Sequence, residues 1–558
     1  MNRRDFLTAR RPKKKAEAAP FHVQQTQAGG LAPYTGAWTT SEVVHLLKRT
    51  MFGAKKSDID YFRTKTLSQA VDELLNPTAP LPAPPVKEYD TTGAATPDTG
   101  IAPGTTWVND YSNDGTIVSR RRASFKKWWM GVMIQQDRSI REKMTLFWHN
   151  HFATETVDIA DSQFVYKHHA LLRSGALGNF KTLVRQVTLD PGMLRYLNGY
   201  VNVATAPDEN YARELQELFT LGKENNPNYT EEDVKAAARV LTGWRVNYQT
   251  ISSFFDATRH STANKQFSSF YGNKMIAGRT GATAGDIELD ELLNMIFDKK
   301  DEVSRFLATK LYRWFCYYEI DATTKQNVIE PMAKLLRDNN WEVKPALSAL
   351  LKSEHFFDAA ARGCLIKSPV DLLVGLCREF NVVFPNASTE YVAAYNLWNF
   401  LVSQSSTMIQ NIGDPPSVAG WPSYYQVPQF HQTWINSDTL PKRNTFTDRM
   451  ISNGYSANSR TMRIDAVAFT KTLPDPGDPN KLIDDALSIL FRVPISDTSK
   501  QTIKKQILLS NQDQDYYWTN AWAAHITNPN DTAAFNIVNT RLQALYKRFM
   551  NLAEYQLS

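Results

Sequence analysis

The chain has 558 residues, room for three or four ordinary domains or for one large body with insertions. Its 42% hydrophobic and 22% charged residues exclude a disordered or fibrous chain. No apolar run reaches the roughly 18 residues of a membrane-spanning helix, so no transmembrane segment is expected. The formal charge of +6 sits in the first fifteen residues, where Arg3, Arg4, Arg10, Arg11, Lys13, Lys14 and Lys15 face only Asp5. The rest of the chain balances acid against base, and no nucleic-acid partner is expected from it.

Residues 1–36 read as a basic leader. Asn2-Arg3-Arg4-Asp5-Phe6-Leu7-Thr8 resembles the bacterial twin-arginine export motif, but the apolar stretch that should follow is replaced by Ala-Arg-Arg-Pro-Lys-Lys-Lys. Two readings stay open. One is a disordered basic tail on a cytoplasmic protein; the other is a variant export signal used with a co-exported partner, which would place the protein in the periplasm or at the cell surface.

Residues 37–445 are expected to form the main helical domain. Ser41 opens a helix as its cap, and Thr66 to Leu75 forms another with Ala70, Val71, Leu74 and Leu75 as its apolar stripe. Residues 76–115 are proline-rich and irregular, the chemistry of a long loop. Helical pattern dominates from Thr116 to Gly243. There Ser139 and Glu142 are spaced as a capping box, Thr230 to Asp233 as a second capped start, and Gly243 as a C-cap. Short aromatic–polar alternation over 244–276 predicts a small excursion of two or three strands. Helices then resume, one with Ser368 as N-cap and Pro369 in its first turn, before a turn-rich stretch from Gly413 to Leu440. Residues 446–558 read as a helical C-terminal extension. The fold class is predominantly α, a large multi-helical domain.

Ten histidines are present, five of them between 149 and 260. His149 and His151 chelate one metal only if the helix ends near Trp148; in a continuing helix they diverge by roughly 200°, and His151 joins the Met144, Phe147 and Trp148 face as a core residue. In the segment from Pro207 to Gly222, Asn210, Arg213, Glu214 and Glu217 share a helical face. Glu214 or Glu217 is then a candidate ligand or general base, or the structural partner of Arg213. His260 lies in the loop-rich part of that excursion, and a loop histidine lacks a core explanation; the alternative is an ordinary surface histidine. Together these residues offer nitrogen and oxygen donors suited to zinc, iron or manganese. Cys316, Cys364 and Cys377 form no C-x-x-C frame, so a cysteine metal site or disulfide scaffold is not expected. Phosphate-loop, dinucleotide, H-E-x-x-H and G-x-S-x-G signatures are absent.

Several stretches carry a resemblance: Glu42 to Thr50, Phe147-Trp148-His149-Asn150-His151-Phe152, Asp190-Pro191-Gly192-Met193, Glu209 to Gly222, Ala238 to Trp244, Ile366 to Asp371, and Pro415 to Pro422. In order and identity they resemble the uncharacterised bacterial family catalogued as domain of unknown function 1800, over about residues 40 to 445. The chain departs from that pattern at Asp208, where asparagine is usual, and at Ser261, where aspartate usually follows the histidine. The resemblance implies export and a neighbouring protein resembling sulfatases and alkaline phosphatases; it implies no reaction. Two functions are therefore expected. The first is a metal-assisted site, hydrolytic or oxidative, at His149, His151, Glu214, Glu217 and His260, with Arg213 beside it. The alternative is a non-catalytic helical scaffold or maturation partner of a co-exported sulfatase- or phosphatase-like protein.

Overall fold

The computed structural model describes residues 30–222, 228–421 and 433–558. Helix accounts for 57% of the structure and strand for 5%, so the chain is predominantly α, as its periodicity predicts. All of the leader's lysines and arginines, the export motif among them, lie outside the described residues, as do residues 422–432 of the turn-rich stretch.

Local chemistry explains most helix starts. Thr66 caps Leu67–Leu75 through a capping box with Gln69, and Ala70, Val71, Leu74 and Leu75 are buried. The predicted capped start of Glu231–Val240 is a capping box formed by Thr230 and Asp233. Ser368 caps Pro369–Glu379 with proline in its first turn. Three expectations are corrected. The cap of Thr40–Thr50 is Thr39, paired with Glu42, rather than Ser41. Helix Arg141–His151 starts on Ile140 without a side-chain cap, because Ser139 accepts only from the Arg141 amide and the Glu142 carboxylate is drawn away to Arg173. Leu241 caps Glu231–Val240; Gly243 lies beyond it at φ +93°, where an added Cβ would meet the Asp256 carbonyl at 2.9 Å.

The excursion over 244–276 is two separate antiparallel pairs, Trp244–Asn247 with Ser252–Phe255 and Lys265–Gln266 with Met275–Ile276. The proline-rich loop is laid along helix Gly115–Ile134. Trp128 donates its indole N–H to the Ala83 carbonyl at 2.7 Å, and Arg121, fully buried, grips Asp98 at 2.9 Å. Charges in such surroundings are tolerated because each finds an opposite partner.

The C-terminal helices pack back onto the first one. Lys48 donates to the Leu490 carbonyl at 3.1 Å, and Arg492 donates to the Ser41 carbonyl at 3.1 Å across 451 positions of sequence. Ile366 bridges Leu557, and Phe380 packs on Phe469 with ring centroids 4.7 Å apart. One continuous apolar core runs through the whole described body.

Candidate functional site

Helix Arg141–His151 is buried on every side. A helix buried all round needs a partner for each polar side chain it carries. Its residues therefore divide into those that find one and those that do not.

The helix continues through His151, so the two rings of His149-Asn150-His151 leave it in different directions. His151 is held on both nitrogens. Lys310 donates to Nδ1 at 3.0 Å, which leaves the proton on Nε2, and Nε2 donates to the Phe219 carbonyl at 3.0 Å. The rings of Phe152, Phe180, Phe306 and Phe219 stand 4.4–6.2 Å away. Burial, reinforced by the Lys310 charge, holds the imidazole well below its ordinary pKa, in its neutral form.

His149 faces the other way. Its ring packs edge-on against Trp129 at 5.1 Å and against Trp421 at 5.6 Å, and neither ring nitrogen makes a hydrogen bond to any described residue. Burial, with His168 nearby, pulls its pKa down to about 3. The loop carrying Trp421 is fixed by its amide, which donates to Asn150 Oδ1 at 2.7 Å. Glycine is required next to it: Gly420 has φ +92°, and a Cβ there would stand 2.4 Å from the Asn150 carbonyl. Trp421, which its proline-rich setting suggests to be exposed, is 97% buried (3% exposed). Asp414 of the same loop takes Lys126 and accepts from the Thr156 amide and hydroxyl, each at 2.7 Å.

Two further histidines complete this side. His168 and His169 sit in helix Ser162–Ser174. His168 Nδ1 is 2.9 Å from Asp190, whose carboxylate also caps Pro191–Tyr196. His169 accepts at Nδ1 from Arg173 at 3.1 Å, while Arg173 forks onto both oxygens of Glu142 at 2.8 Å. The His169 ring lies 4.2 Å from Trp129, and its Nε2 has no described partner.

The glutamates lie elsewhere. Helix Asn210–Glu214 widens into a π-helical turn over Leu215–Thr220, and the change of pitch buries Glu217 while Glu214 stays half-buried. The shared face predicted from 3.6-residue spacing is thereby broken. Arg213 takes neither of them as a close ion pair; it meets Glu209 at 3.1 Å and Glu231 at 2.7 Å.

His260 belongs to a third locus. It does lie in a loop, following the short turn Ala257–Arg259, but it is buried, 5% exposed, and not a surface histidine. Its Nδ1 is 2.8 Å from the Thr242 carbonyl, and its Nε2 lies 3.2 Å from Glu288, off the line of a good hydrogen bond. Glu288 also binds Lys265 and the Arg279 amide. Burial alone would raise the Glu288 carboxyl, but contacts from His260 and Lys265 hold it below the ordinary range. Among the described residues no three His, Cys, Asp or Glu side chains are placed to hold a metal ion.

The structure therefore brings His149 together with His168, His169, Trp129 and Trp421, and keeps it apart from the surroundings of His151 and His260. The sequence carried one signal for this, the adjacent pair His168-His169 in a helix otherwise apolar on one side. A family model described as a protein of unknown function, DUF1800, matches residues 45–557, so the match extends through the C-terminal helices beyond residue 445. No curated protein and no solved structure matches the chain.

Proposed function

The chain belongs to the DUF1800 family of proteins of unknown function, and from that premise we propose that it is a non-catalytic helical scaffold, or maturation partner, of a co-exported sulfatase- or phosphatase-like protein. The observation that supports this reading is the engagement of His151: Lys310 and the Phe219 carbonyl occupy its two nitrogens inside a cage of phenylalanines. Arg213 and His260 are likewise engaged in ties between separate segments. Side chains used this way join elements, and a reaction would first have to release them. The export and partner parts of the reading come from Arg3 and Arg4 and from the family resemblance.

The test is co-expression with the sulfatase- or phosphatase-like partner that this reading requires. Co-purification, and a gain in soluble active partner that survives His149→Leu, is the expected result. Equal partner yield with and without this chain would sink the reading. Changing Arg3 and Arg4 to lysine is expected to retain the chain in the cytoplasm, which fractionation would read.

A metal-assisted site, hydrolytic or oxidative, is the second reading, and His149 favours it. Among the described residues both of its nitrogens are uncommitted, and its neutral form is the one that ligates. Metal content of untagged protein by mass spectrometry, wild type against the His149→Ala/His151→Ala double variant, decides it. A near-stoichiometric metal lost in a still-folded variant would replace the scaffold reading; a metal-free wild type would remove the second one.

A further inference from the structure

Five buried ring nitrogens gather on one side of helix Arg141–His151 without a hydrogen bond to any described residue: Nδ1 and Nε2 of His149, Nε2 of His169, and Nε1 of Trp129 and of Trp421. The four residues are between 0% and 4% exposed, and their rings are neighbours, with centroids 4.2–5.6 Å apart along the series His169, Trp129, His149, Trp421. Buried polar atoms ordinarily find partners, so five unmet ones in a single ring cluster call for an occupant.

The protonation pattern says which kind. Arg173 has only donors, so its contact makes His169 Nδ1 an acceptor and puts the proton on Nε2. Both indole nitrogens carry a proton, and a neutral His149 carries one on its two nitrogens. The unmet set is thus four N–H donors against one acceptor. A metal ion needs lone pairs and finds His169 Nε2 already protonated. An acceptor fits. Arg173 beside His169 is neutralised by Glu142, and Lys126 near His149 by Asp414, so the N–H donors themselves, and no net charge of the surroundings, would hold that acceptor.

We propose that the ring cluster of Trp129, His149, His169 and Trp421 binds a small anion through uncharged N–H donors. The anion accepts from the two indoles and from His169, and His149 presents its own N–H to it. The site is independent of any partner protein.

Two measurements on the full chain test this. In the first, crystals are soaked in sodium bromide and anomalous diffraction is collected; a bromide peak within hydrogen-bond reach of at least two of these nitrogens is expected. In the second, the thermal midpoint is followed against sodium bromide, acetate and sulfate, with sodium gluconate holding the ionic strength. At least one of the three is expected to give a saturable rise. Trp421→Phe, which keeps the ring and removes the N–H, is expected to weaken that anion about tenfold or more, as loss of one hydrogen bond to a charge does. Should Trp421→Phe fail to fold by circular dichroism, Trp129→Phe takes its place. Ordered water alone at the cluster overturns the proposal. So does a flat response to all three anions, or a response unchanged in the folded variant.

Discussion

His149 and His151 stand two residues apart on one buried helix, yet they are held in opposite ways. His151 has both nitrogens bonded within a phenylalanine cage; His149, beside two tryptophans, has neither bonded to a described residue. Both rings are neutral because burial disfavours the imidazolium, so charge does not separate them. Completeness of hydrogen bonding does. A saturated buried histidine joins segments of the fold, whereas an unsaturated one has bonding capacity left for something that is not part of the chain. Spacing separates the directions of the two rings on the helix, but it does not say which of them is hydrogen-bonded.

The comparison breaks most sharply at Arg173, which holds Glu142 and also sets the tautomer of His169. Arg173→Met is expected to destabilise the protein by about 3–5 kcal/mol in urea unfolding, because the Glu142 carboxylate, 3% exposed as a residue, loses its bidentate partner while buried. Next comes the pair itself. His151→Leu is expected to cost about 2–4 kcal/mol by stranding Lys310 and the Phe219 carbonyl, and His149→Leu less than about 1 kcal/mol, since an unpaired polar ring gives way to an apolar group of similar size. Equal costs would show that His149 has a partner in the folded state.

Acid sharpens the same contrast. Below about pH 6.5 the unfolded chain protonates these histidines while the folded chain, with their pKa values depressed, does not. Protons then favour unfolding, so stability falls as pH falls. Each such histidine contributes a slope of about 1.4 kcal/mol per pH unit, for His149 down to its folded pKa of about 3. His149→Leu is expected to lower the slope between pH 6 and 4 by that amount, measured by unfolding midpoints across pH. The smallest effect is expected from Arg213→Met, under about 1 kcal/mol, because its side chain and that of Glu231 are 34% and 67% exposed and solvent screens the pair.

Much of the fold was legible in sequence because it is written locally. Thr66, Thr230 and Ser368 with their third-residue partners mark helix starts that the structure keeps. Ser139 shows where that legibility ends. Its spacing to Glu142 satisfies a capping box, but Arg173, 31 positions away from Glu142, competes for the carboxylate and wins with two charge-assisted bonds. Glu214 and Glu217 show a second limit, since a π turn shifts the helical phase without any proline or glycine to announce it. His260 shows a third. Its loop setting suggested exposure, and only the long-range approach of Glu288 and Thr242 makes it a core residue. The conditional placed on the H-x-H pair was readable from helix geometry, while the tryptophans that surround His149 come from segments about 20 and 270 residues away.

The return of the C-terminal helices to the first one has a consequence during synthesis. The apolar face of Thr40–Thr50 rests partly on Pro479–Leu490, and Arg492 seals the contact at Ser41. At ribosomal speeds of 5–20 residues per second, about 450 intervening residues take roughly 20 to 90 s to emerge. For that interval the side of the first helix that Pro479–Leu490 will cover stays open, a client for holdase chaperones until the chain is nearly complete.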